Sequence, residues 1–321
     1  MRSVQLFNDN WLFAAEDLPL DAPDSAFDLV TLPHTNVLLP HHNFEVDEYA
    51  FVSTYRKQFT LPEPVNGRRV YLDFDGAMIA ATVTVNGHTF EEHKGGYTPF
   101  SFDITDLLTP DGTNTIQVRL DSTEREDIPP FGFVVDYLTF GGIYRDVSLR
   151  YVEPAHIANV FVRPQNVLSG TPHAEIDVWV NNQGPEADAF TVYGGISCDV
   201  HQDFTHAQIT VPAGATEKVT LELPPNEYDL WTLDDPTLYL CCVGLNIGDI
   251  PDAGSDEPLD FVIKRFGFRE AEFRKDGGFY FNGERLDLIG LNRHQTYPYI
   301  GAAAPARLQR QDSESTWLQR H

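Results

Sequence analysis

Apolar residues at every second position mark most of the first 265 residues as β-structure. The alternation is clearest at residues 70–74, 81–85 and 115–120, and a period of two is typical of a strand with one buried face. Before Pro305 no apolar pattern keeps the helical period for more than a couple of turns. The pattern therefore predicts an all-β chain up to about residue 265.

Asn-Gly pairs predict tight hairpin turns between some of these strands. Asn86-Gly87 follows the strand at 81–85, and Asn282-Gly283 lies inside the run GFYFNGERL. Both central positions of such a turn need positive φ, which Asn and Gly tolerate best. Each pair is therefore expected to join two antiparallel strands.

A first domain boundary is expected at residues 152/153, where a predicted strand at 147–151 gives way to Glu153-Pro154. About seven short strands follow before residue 265, and that number in roughly 110 residues suits an immunoglobulin-like β-sandwich. Trp231 and Tyr239 are the expected aromatic anchors of its core. The predicted domains are residues 1–152, 153–265 and 266–321.

The third segment begins with a hairpin and continues into an apolar run at 286–291, which is predicted to be a strand. Pro305 is placed to begin a helix, because proline is favoured in the first helical turn. A strand followed by a helix is the first unit of a (β/α) barrel. The last residues, SESTWLQRH, show no helical face, and everything after about Ile289 is expected to be disordered or poorly docked.

The acidic composition limits the partners of the chain. The net charge is −26 at pH 7, and binding to nucleic acid needs clustered Lys and Arg, so no nucleic-acid partner is expected. The sequence has no signal-peptide-like start and no apolar run long enough to span a membrane, so a cytoplasmic location is expected. Cys198, Cys241 and Cys242 have no metal-binding spacing; free buried thiols are favoured over a bond from Cys198 to one of the others.

Six motifs occur in one fixed order along the chain. They are LPHT at 32–35, DFDG…VNG at 73–87, GGYTPFSFDIT at 95–105, GGIYRDVSL at 141–149, FGFR at 266–269 and GLNRHQTYP at 290–298. Together they resemble the β-galactosidase/β-glucuronidase family of glycoside hydrolases, family 2. The resemblance implies a mainly β chain with a jelly-roll sugar-binding domain, an immunoglobulin-like domain and the first strands of an incomplete (β/α)8 barrel.

The resemblance also implies a reaction, the retaining hydrolysis of terminal non-reducing β-D-galactosides. In the family both catalytic groups are glutamates on later barrel strands, which are expected to lie beyond His321, so this chain is expected to be inactive alone. No cofactor and no metal are expected, and a homo-oligomer is allowed for the intact family member. The alternatives are a β-glucuronidase or β-mannosidase relative, a stand-alone carbohydrate-binding protein, and a piece that assembles with a separately encoded barrel.

Two residues are carried over from the family's sugar site. Asp146 in GIYRD matches an aspartate that reaches the sugar hydroxyls, unless it only pairs with a neighbour such as Arg145. His294 in NRHQ matches a histidine that contacts the sugar, unless it is structural; an imidazole can donate from one nitrogen and accept at the other. Asn292 and Arg293 are expected to be architectural.

Other polar residues are expected to have no site role. Asp73 and Asp75 share one face of a strand and are expected to be exposed edge carboxylates. His34, His41 and His42 lie close in sequence, but a zinc site needs three or four converging ligands, and the sequence supplies no others.

Overall fold

The computed structural model describes residues 1–38, 45, 48–132, 135, 137–196, 204–248, 257–275, 277–290 and 292–318. The chain forms two compact units by its internal contacts: Val4–Tyr151 with Asn292–His321, and Met1–Ser3 with Val152–Leu291. We call the first the jelly-roll unit and the second the immunoglobulin-like unit. Residues 266–321 are divided between the two units, and the predicted boundaries at 152/153 and 265/266 stay predictions.

The strands of the jelly-roll unit form two sheets. In chain order they are β1 (Ser3–Leu6), β2 (Trp11–Ala14), β3 (Asp28–Val30), β4 (Val52–Phe59), β5 (Arg69–Phe74), β6 (Ala80–Val85), β7 (His88–Thr89), β8 (His93–Lys94), β9 (Phe100–Asp103), β10 (Asn114–Asp121) and β11 (Val147–Val152), with short 3-10 helices at Asp24–Ala26 and Thr105–Leu107. One sheet has the order β3-β2-β4-β10-β6-β7, with β8 also paired to β6, and the other has the order β1-β11-β5-β9.

The predicted strands of this unit are confirmed within β5, β6 and β10. In β5 the alternate residues Val70, Leu72 and Phe74 are fully buried, so the period of two in the sequence marks the core-facing side. Asn86 and Gly87 have φ values of 47° and 88°, and Val85 pairs with His88. The first predicted hairpin turn is therefore confirmed.

The strands of the immunoglobulin-like unit form a two-sheet sandwich and a small third sheet. They are β12 (Ala155–Gln165), β13 (His173–Asn182), β14 (Asp188–Ile196), β15 (Thr205–Val211), β16 (Ala215–Glu222), β17 (Tyr239–Ile247), β18 (Asp260–Phe266), β19 (Ala271–Phe273), β20 (Phe279–Phe281) and β21 (Glu284–Arg285). The sheet orders are β12-β13-β16, β15-β14-β17-β18 and β19-β20-β21. Asn282 and Gly283, with φ of 48° and 82°, form the second predicted turn.

Only one of the two expected aromatic anchors packs against the core of this second unit. Phe190 and Phe268 are its fully buried large rings, and Phe268 stacks on Tyr228 with 4.0 Å between ring centroids. Tyr239 packs edge-on against Phe268 at 5.6 Å, as predicted for a core residue. Trp231 is only partly buried and contacts the Phe281 ring instead.

The cysteine prediction is correct in one case and wrong in another. Cys241 is a free, buried thiol whose pKa is raised to about 12 by burial. Cys242 is disulfide-bonded, so the prediction of a free thiol is wrong for it. Cys198 lies outside the described residues. Among the described residues, no helix has both the length and the apolar character needed to cross a membrane.

The tail of the chain departs most from the sequence-based prediction. Residues 286–290 form no strand, and Ile289 is 92% exposed. A strand is stable only when another strand satisfies its backbone groups, and no described strand pairs with this run. The predicted helix is confirmed as α1 (Ala306–Leu318), and it extends over residues 313–318 of the run SESTWLQRH, in which the sequence shows no helical face.

The expectation of a disordered or poorly docked tail is wrong for residues 301–304, which are buried or half-buried, and stays a prediction for the rest of the tail. Ala303 is buried against Met78, Ile79 and Tyr144 of the jelly-roll unit. A side chain at Gly301 would meet the ring of Phe140 at 2.6 Å, so the backbone there packs closely on the unit. This packing brings residues 292–296 to the jelly roll.

Candidate sugar site

Two adjoining pockets of about 400 and 410 Å³ lie in the jelly-roll unit. The first, which we call the aromatic pocket, is lined among others by Met78, Tyr97, Tyr137, Phe140, Tyr144 and His294. The second, the polar pocket, is lined among others by Asp75, Arg145, Asp146, Arg293, Gln295 and Gln309. Both pockets share Tyr144, Arg293, Gln295 and Ala302. The volumes fall in the range of small-molecule sites.

The inner wall of the aromatic pocket is fixed by a close approach at Gly96. A Cβ on this residue would come within 2.3 Å of the Met78 sulfur, so glycine is required for Met78 to pack there. The Tyr144 hydroxyl donates to the Gly96 carbonyl at 2.5 Å. Burial raises the pKa of Tyr144.

Two tyrosines and a histidine form the exposed rim of this pocket. Tyr97 and Tyr137 are each 40% exposed, and the Tyr97 hydroxyl donates to the Tyr137 hydroxyl at 3.5 Å. The Tyr137 ring meets the His294 ring edge to face, with 5.6 Å between centroids. His294 itself is exposed, so its ring is accessible to a ligand.

Asp146 is held at the polar pocket by a side-chain bridge. Asn8 donates from Nδ2 to Asp146 Oδ1 at 2.9 Å and accepts at Oδ1 from the Val147 amide at 2.9 Å. The Asp75 amide donates to the Asp146 carbonyl at 2.9 Å. Among the described residues, Asp146 makes no ion pair with Arg145. The carboxylate is thus fixed in position while it lines the pocket.

The Arg293 guanidinium, expected to be architectural, joins the tail to α1. Its Nη2 donates to Gln309 Oε1 at 2.7 Å and to Asp312 Oδ2 at 2.5 Å. Arg293 also lines both pockets. Its two hydrogen bonds therefore fix the wall that the pockets share. Asn292 lines the aromatic pocket, and its architectural role stays a prediction.

Two family models match this chain. The model described as "Glycosyl hydrolase 2 galactose-binding domain-like" matches residues 36–129, and "Glycosyl hydrolases family 2" matches residues 155–269. The β-galactosidase of Thermoanaerobacter pseudethanolicus is 39% identical over 98% of this chain and 42% of its own length. The β-galactosidase of Thermoanaerobacterium thermosulfurigenes is 36% identical over 98% of this chain and 43% of its own.

The chain belongs to glycoside hydrolase family 2. A solved structure of Bacteroides uniformis β-glucuronidase 2, covalently bound to cyclophellitol-6-carboxylate aziridine, is similar with a TM-score of 0.86 and 30% identity. That match covers 98% of this chain and 38% of the other. The chain therefore spans less than half the length of these family 2 relatives and corresponds to their amino-terminal part. The similar proteins are thus named for two different sugars, galactose and glucuronic acid.

The prediction of exposed edge carboxylates is wrong for Asp73 and incomplete for Asp75. Asp73 is half-buried on β5, which lies between β11 and β9, and it accepts from Arg150 at 2.7 and 3.0 Å. Asp75 is exposed but lines the polar pocket beside Asp146. Partial burial and the Asp146 charge raise the pKa of Asp75, while Arg145 opposes the shift. Two carboxylates therefore share this family 2 pocket, where one was predicted.

Asn36 is a further residue that sequence reasoning missed. It is 3% exposed, donates from Nδ2 to the Tyr49 carbonyl at 2.8 Å, and has no partner for Oδ1 among the described residues. It packs against Gly141, next to the pocket residue Phe140. A buried acceptor without a donor is costly, and Asn36 is not among the residues that line either pocket. The sequence signal was only that Asn36 directly follows the LPHT motif.

The histidines considered for a metal do not converge in the described part of the chain. His34 Nδ1 lies 2.9 Å from the Tyr55 hydroxyl, and burial lowers its pKa to about 4. His41 and His42 lie outside the described residues. Among the residues that are described, no three or more His, Cys, Asp or Glu side chains gather into a metal-binding group.

Proposed function

We propose that this chain forms one wall of the sugar site of a family 2 glycosidase, and that the sugar is a terminal non-reducing β-D-galactoside. One observation carries the proposal. His294 and Asp146, which are 148 positions apart in the sequence, line two adjoining pockets of one compact unit that share Tyr144 and Arg293. The family membership of the chain supplies the class of ligand.

The chemistry of both residues suits hydroxyl groups. Asp146 uses one carboxylate oxygen on Asn8, which leaves lone pairs on the other for sugar hydroxyls. Hydrogen bonds to an ionised acceptor are the stronger kind. His294 is exposed at the rim of the aromatic pocket, where its two nitrogens supply one donor and one acceptor.

We propose galactose as the sugar because the motifs NRHQTYPYIG and GGIYRDVSLR look most like those of bacterial β-galactosidases. The two curated relatives above carry that name, and the similar solved structure is named for glucuronide hydrolysis. A β-glucuronidase is therefore the alternative within the same family.

Binding by the chain tests this proposal. Calorimetric titration with methyl β-D-galactoside and methyl β-D-glucuronide should show saturable binding of the galactoside. His294→Ala and Asp146→Asn should each weaken it about 10-fold or more, since hydrogen bonds to charged groups contribute roughly 1.5–3 kcal/mol. Asp106→Asn, at an exposed surface pair with Arg69, is the control.

The outcomes separate the parts of the proposal. No binding of either glycoside contradicts the sugar site, and tighter binding of the glucuronide contradicts the choice of galactose. If Asp146→Asn leaves the affinity unchanged while His294→Ala reduces it, Asp146 serves only to bridge Asn8 and the polar pocket.

We also propose that residues 1–321 do not supply the catalytic pair. A retaining glycosidase needs two carboxyl groups about 5–5.5 Å apart, one of them as nucleophile, and the resemblance assigns both to glutamates of later barrel strands. Nitrophenyl β-D-galactoside should therefore not be cleaved by this chain. Cleavage by the purified chain, lost when a carboxylate of this chain is replaced, would contradict the proposal.

A stand-alone carbohydrate-binding protein is the second candidate. It is favoured by the aromatic pocket, because a concave site with aromatic walls and a few polar groups is a usual small-molecule site, and this one lies within a single compact unit. Titration with short β-glucans distinguishes the candidates. Saturable binding of those oligosaccharides supports the module, and binding of the galactoside alone supports the wall of a glycosidase site.

A further inference from the structure

The charged groups that line the polar pocket do not balance one another. Asp75 and Asp146 are its carboxylates, and Arg145 and Arg293 are the lysine or arginine side chains among its described lining residues. Arg293 is ion-paired at 2.5 Å with Asp312, which does not line the pocket. The charge of Arg293 is therefore compensated from outside, and two carboxylates face the single guanidinium of Arg145. The pocket thus carries an excess of negative charge.

The Arg145 guanidinium is held by backbone carbonyls. Its Nη1 donates to the Tyr97 carbonyl at 3.1 Å and to the Asp75 carbonyl at 3.3 Å. A Cβ at Gly76 would lie 3.0 Å from Arg145 Cδ, so the side chain passes closely over the backbone there. Arg145 is thus fixed to the wall of the pocket, and it makes no ion pair with the carboxylates of the residues that the structure describes.

The Asp75 carboxylate differs from its neighbours because it has no partner within the described part of the chain. Asp73 is paired with Arg150 at 2.7 Å, and Asp146 accepts from Asn8. Partial burial and the charge of Asp146 raise the pKa of Asp75, which shows that the two carboxylates repel each other. A further anion placed in the pocket would meet the same repulsion.

This repulsion bears on the substituent at C6 of a bound sugar. A sugar held by Asp146 keeps its C6 group within or beside a pocket of about 410 Å³. In a galactoside that group is a neutral hydroxymethyl, whereas in a uronide it is a carboxylate. Like charges brought together at a binding site lower the affinity and reject the wrong partner. An uncharged C6 group meets no such repulsion.

We propose that Asp75 is a specificity-determining residue, which makes the polar pocket reject sugars with a carboxylate at C6 and accept neutral sugars. The inference rests on the proposed function, in which Asp146 binds the sugar, and adds to it a residue and a class of rejected ligand. Asp75 acts through its charge. Its replacement by asparagine therefore changes the preference between charged and neutral sugars more than it changes the binding of a neutral sugar.

The opposite interpretation assigns a carboxylate-binding role to Arg145. Its Nε and Nη2 have no hydrogen-bond partner among the described residues, and a guanidinium binds a carboxylate with two parallel hydrogen bonds. A uronide would then bind more tightly than its neutral counterpart, and Arg145→Met would remove the difference. The excess of carboxylates over free guanidinium groups in the pocket favours the role of Asp75.

The experiment is calorimetric titration of the whole chain at pH 7 with methyl β-D-galactoside, its 6-carboxylate and its 6-carboxamide. The carboxamide has nearly the shape of the carboxylate and no charge, so the ratio of their affinities measures the effect of the charge. The carboxamide should bind about 10-fold more tightly than the carboxylate. Asp75→Asn should reduce this ratio about 3- to 10-fold, as expected for two charges about 7 Å apart in a partly hydrated site.

The affinity for the parent galactoside is the internal reference, and Asp75→Asn should change it less than about 2-fold because that sugar carries no charge. Asp106→Asn is the matched control. It removes the same charge from an exposed position of the same compact unit, so it should leave the ratio of the two affinities unchanged.

Each outcome decides the inference. Equal binding of carboxamide and carboxylate by the unaltered chain, or an unchanged ratio in Asp75→Asn, overturns it while leaving the proposed sugar site intact. Tighter binding of the carboxylate that is lost in Arg145→Met also overturns it, and assigns Arg145 to the binding of uronides. Failure of the unaltered chain to bind any of the three ligands overturns the proposed function and this inference together.

Discussion

The jelly-roll unit and the immunoglobulin-like unit bury opposite charges. The jelly-roll unit buries the cation Arg56, whose guanidinium donates mainly to neutral acceptors, Gln117 Oε1 and three backbone carbonyls. The immunoglobulin-like unit buries the anion Asp260, which accepts from the Arg2 guanidinium at 2.8 Å and from the Ile157 amide at 2.8 Å. One buried charge is thus surrounded mostly by dipoles, and the other is paired with an opposite charge.

This difference has a physical consequence. Removing one member of a buried ion pair leaves the other charge uncompensated, whereas removing Arg56 leaves carbonyls and an amide without a donor, which costs less for each group. Asp24, the carboxylate paired with Arg56, is 53% exposed and stays hydrated. The immunoglobulin-like unit should therefore be more sensitive to loss of its central charge than the jelly-roll unit.

The largest effect is expected for Asp260→Ala. Asp260 is 1% exposed, and its loss leaves the Ile157 amide without its acceptor and Arg2 with only the Ile157 carbonyl and no paired charge, at a cost of about 3–5 kcal/mol. Hydrogen exchange, followed by mass spectrometry over β12 to β18, would measure the local free energy of opening. Asp106→Ala is the control, because that carboxylate is 80% exposed and should change stability by less than about 1 kcal/mol. If Asp260→Ala lowered the free energy of opening as little as Asp106→Ala does, the predicted difference between the two units would be wrong.

The next effect is a pH dependence confined to the jelly-roll unit. Burial lowers the pKa of His34 from 6.5 to about 4, so between these values the unfolded chain binds a proton that the folded chain does not. The stability that His34 contributes is complete above pH 6.5 and is lost as the pH falls towards 4. The loss is expected to reach about 2–3 kcal/mol at pH 4.

Hydrogen exchange over β4 to β10, between pH 7 and pH 4.5, measures this loss after correction for the intrinsic exchange rate. His34→Gln carries no titrating ring and should show a smaller decrease than the unaltered chain, while the decrease over β12 to β18 should be the same in both. Equal decreases over β4 to β10 in the two proteins would show that His34 is not the group responsible.

A smaller effect is expected for Arg56→Met, which keeps most of the apolar part of the side chain. The acceptors Gln117 Oε1 and the carbonyls of Pro19, Leu20 and Ala22 lose a donor, at an expected total cost of about 1–3 kcal/mol. Arg119→Met is the matched control on β10, because its pair with Asp17 is exposed. A loss for Arg56→Met as large as that for Asp260→Ala would contradict the difference drawn between the two units.

The smallest effects concern the two Asn-Gly turns, one in each unit. Gly87 and Gly283 have φ near +85°, so alanine at either position should cost about 1–2 kcal/mol from backbone strain. Gly283→Ala should cost slightly more, because its Cβ would lie 3.3 Å from Leu168. A Cβ at Gly290 would meet no atom within 4 Å, so Gly290→Ala should leave the free energy of unfolding unchanged. Chemical denaturation measures all three, and a neutral Gly87→Ala would contradict the assigned strain.

The local features were the most predictable part of this fold. The strands within β5, β6 and β10 and the turn at Asn86-Gly87 follow from alternation and turn chemistry, which neighbouring residues decide. The helix after Pro305 follows from a residue that suits the first helical turn. The predicted strand at 286–291 was wrong for the described residues 286–290, because strand formation depends on a partner strand, which a local pattern does not contain.

The candidate site was predictable only in part. The motif order pointed to Asp146 and His294, and whether either contacts a sugar stays a prediction. Asp75, Asn36 and the tyrosine rim were missed, because an exposed carboxylate, an asparagine and two tyrosines have no pattern of their own. Their relevance comes from what surrounds them: a shared pocket for Asp75, a lone acceptor for Asn36, and exposed adjacent rings for Tyr97 and Tyr137.

The sequence by itself determined the class of the chain, its strand-forming runs and its family, since these depend on short-range periodicity and on motifs in a fixed order. Only the tertiary structure decided which polar and aromatic groups converge. Tyr97, Tyr137 and His294 are distant along the chain and meet because residues 292–304 pack onto the jelly-roll unit around Ala303. That convergence depends on the packing of many side chains at once, which no single stretch of sequence encodes.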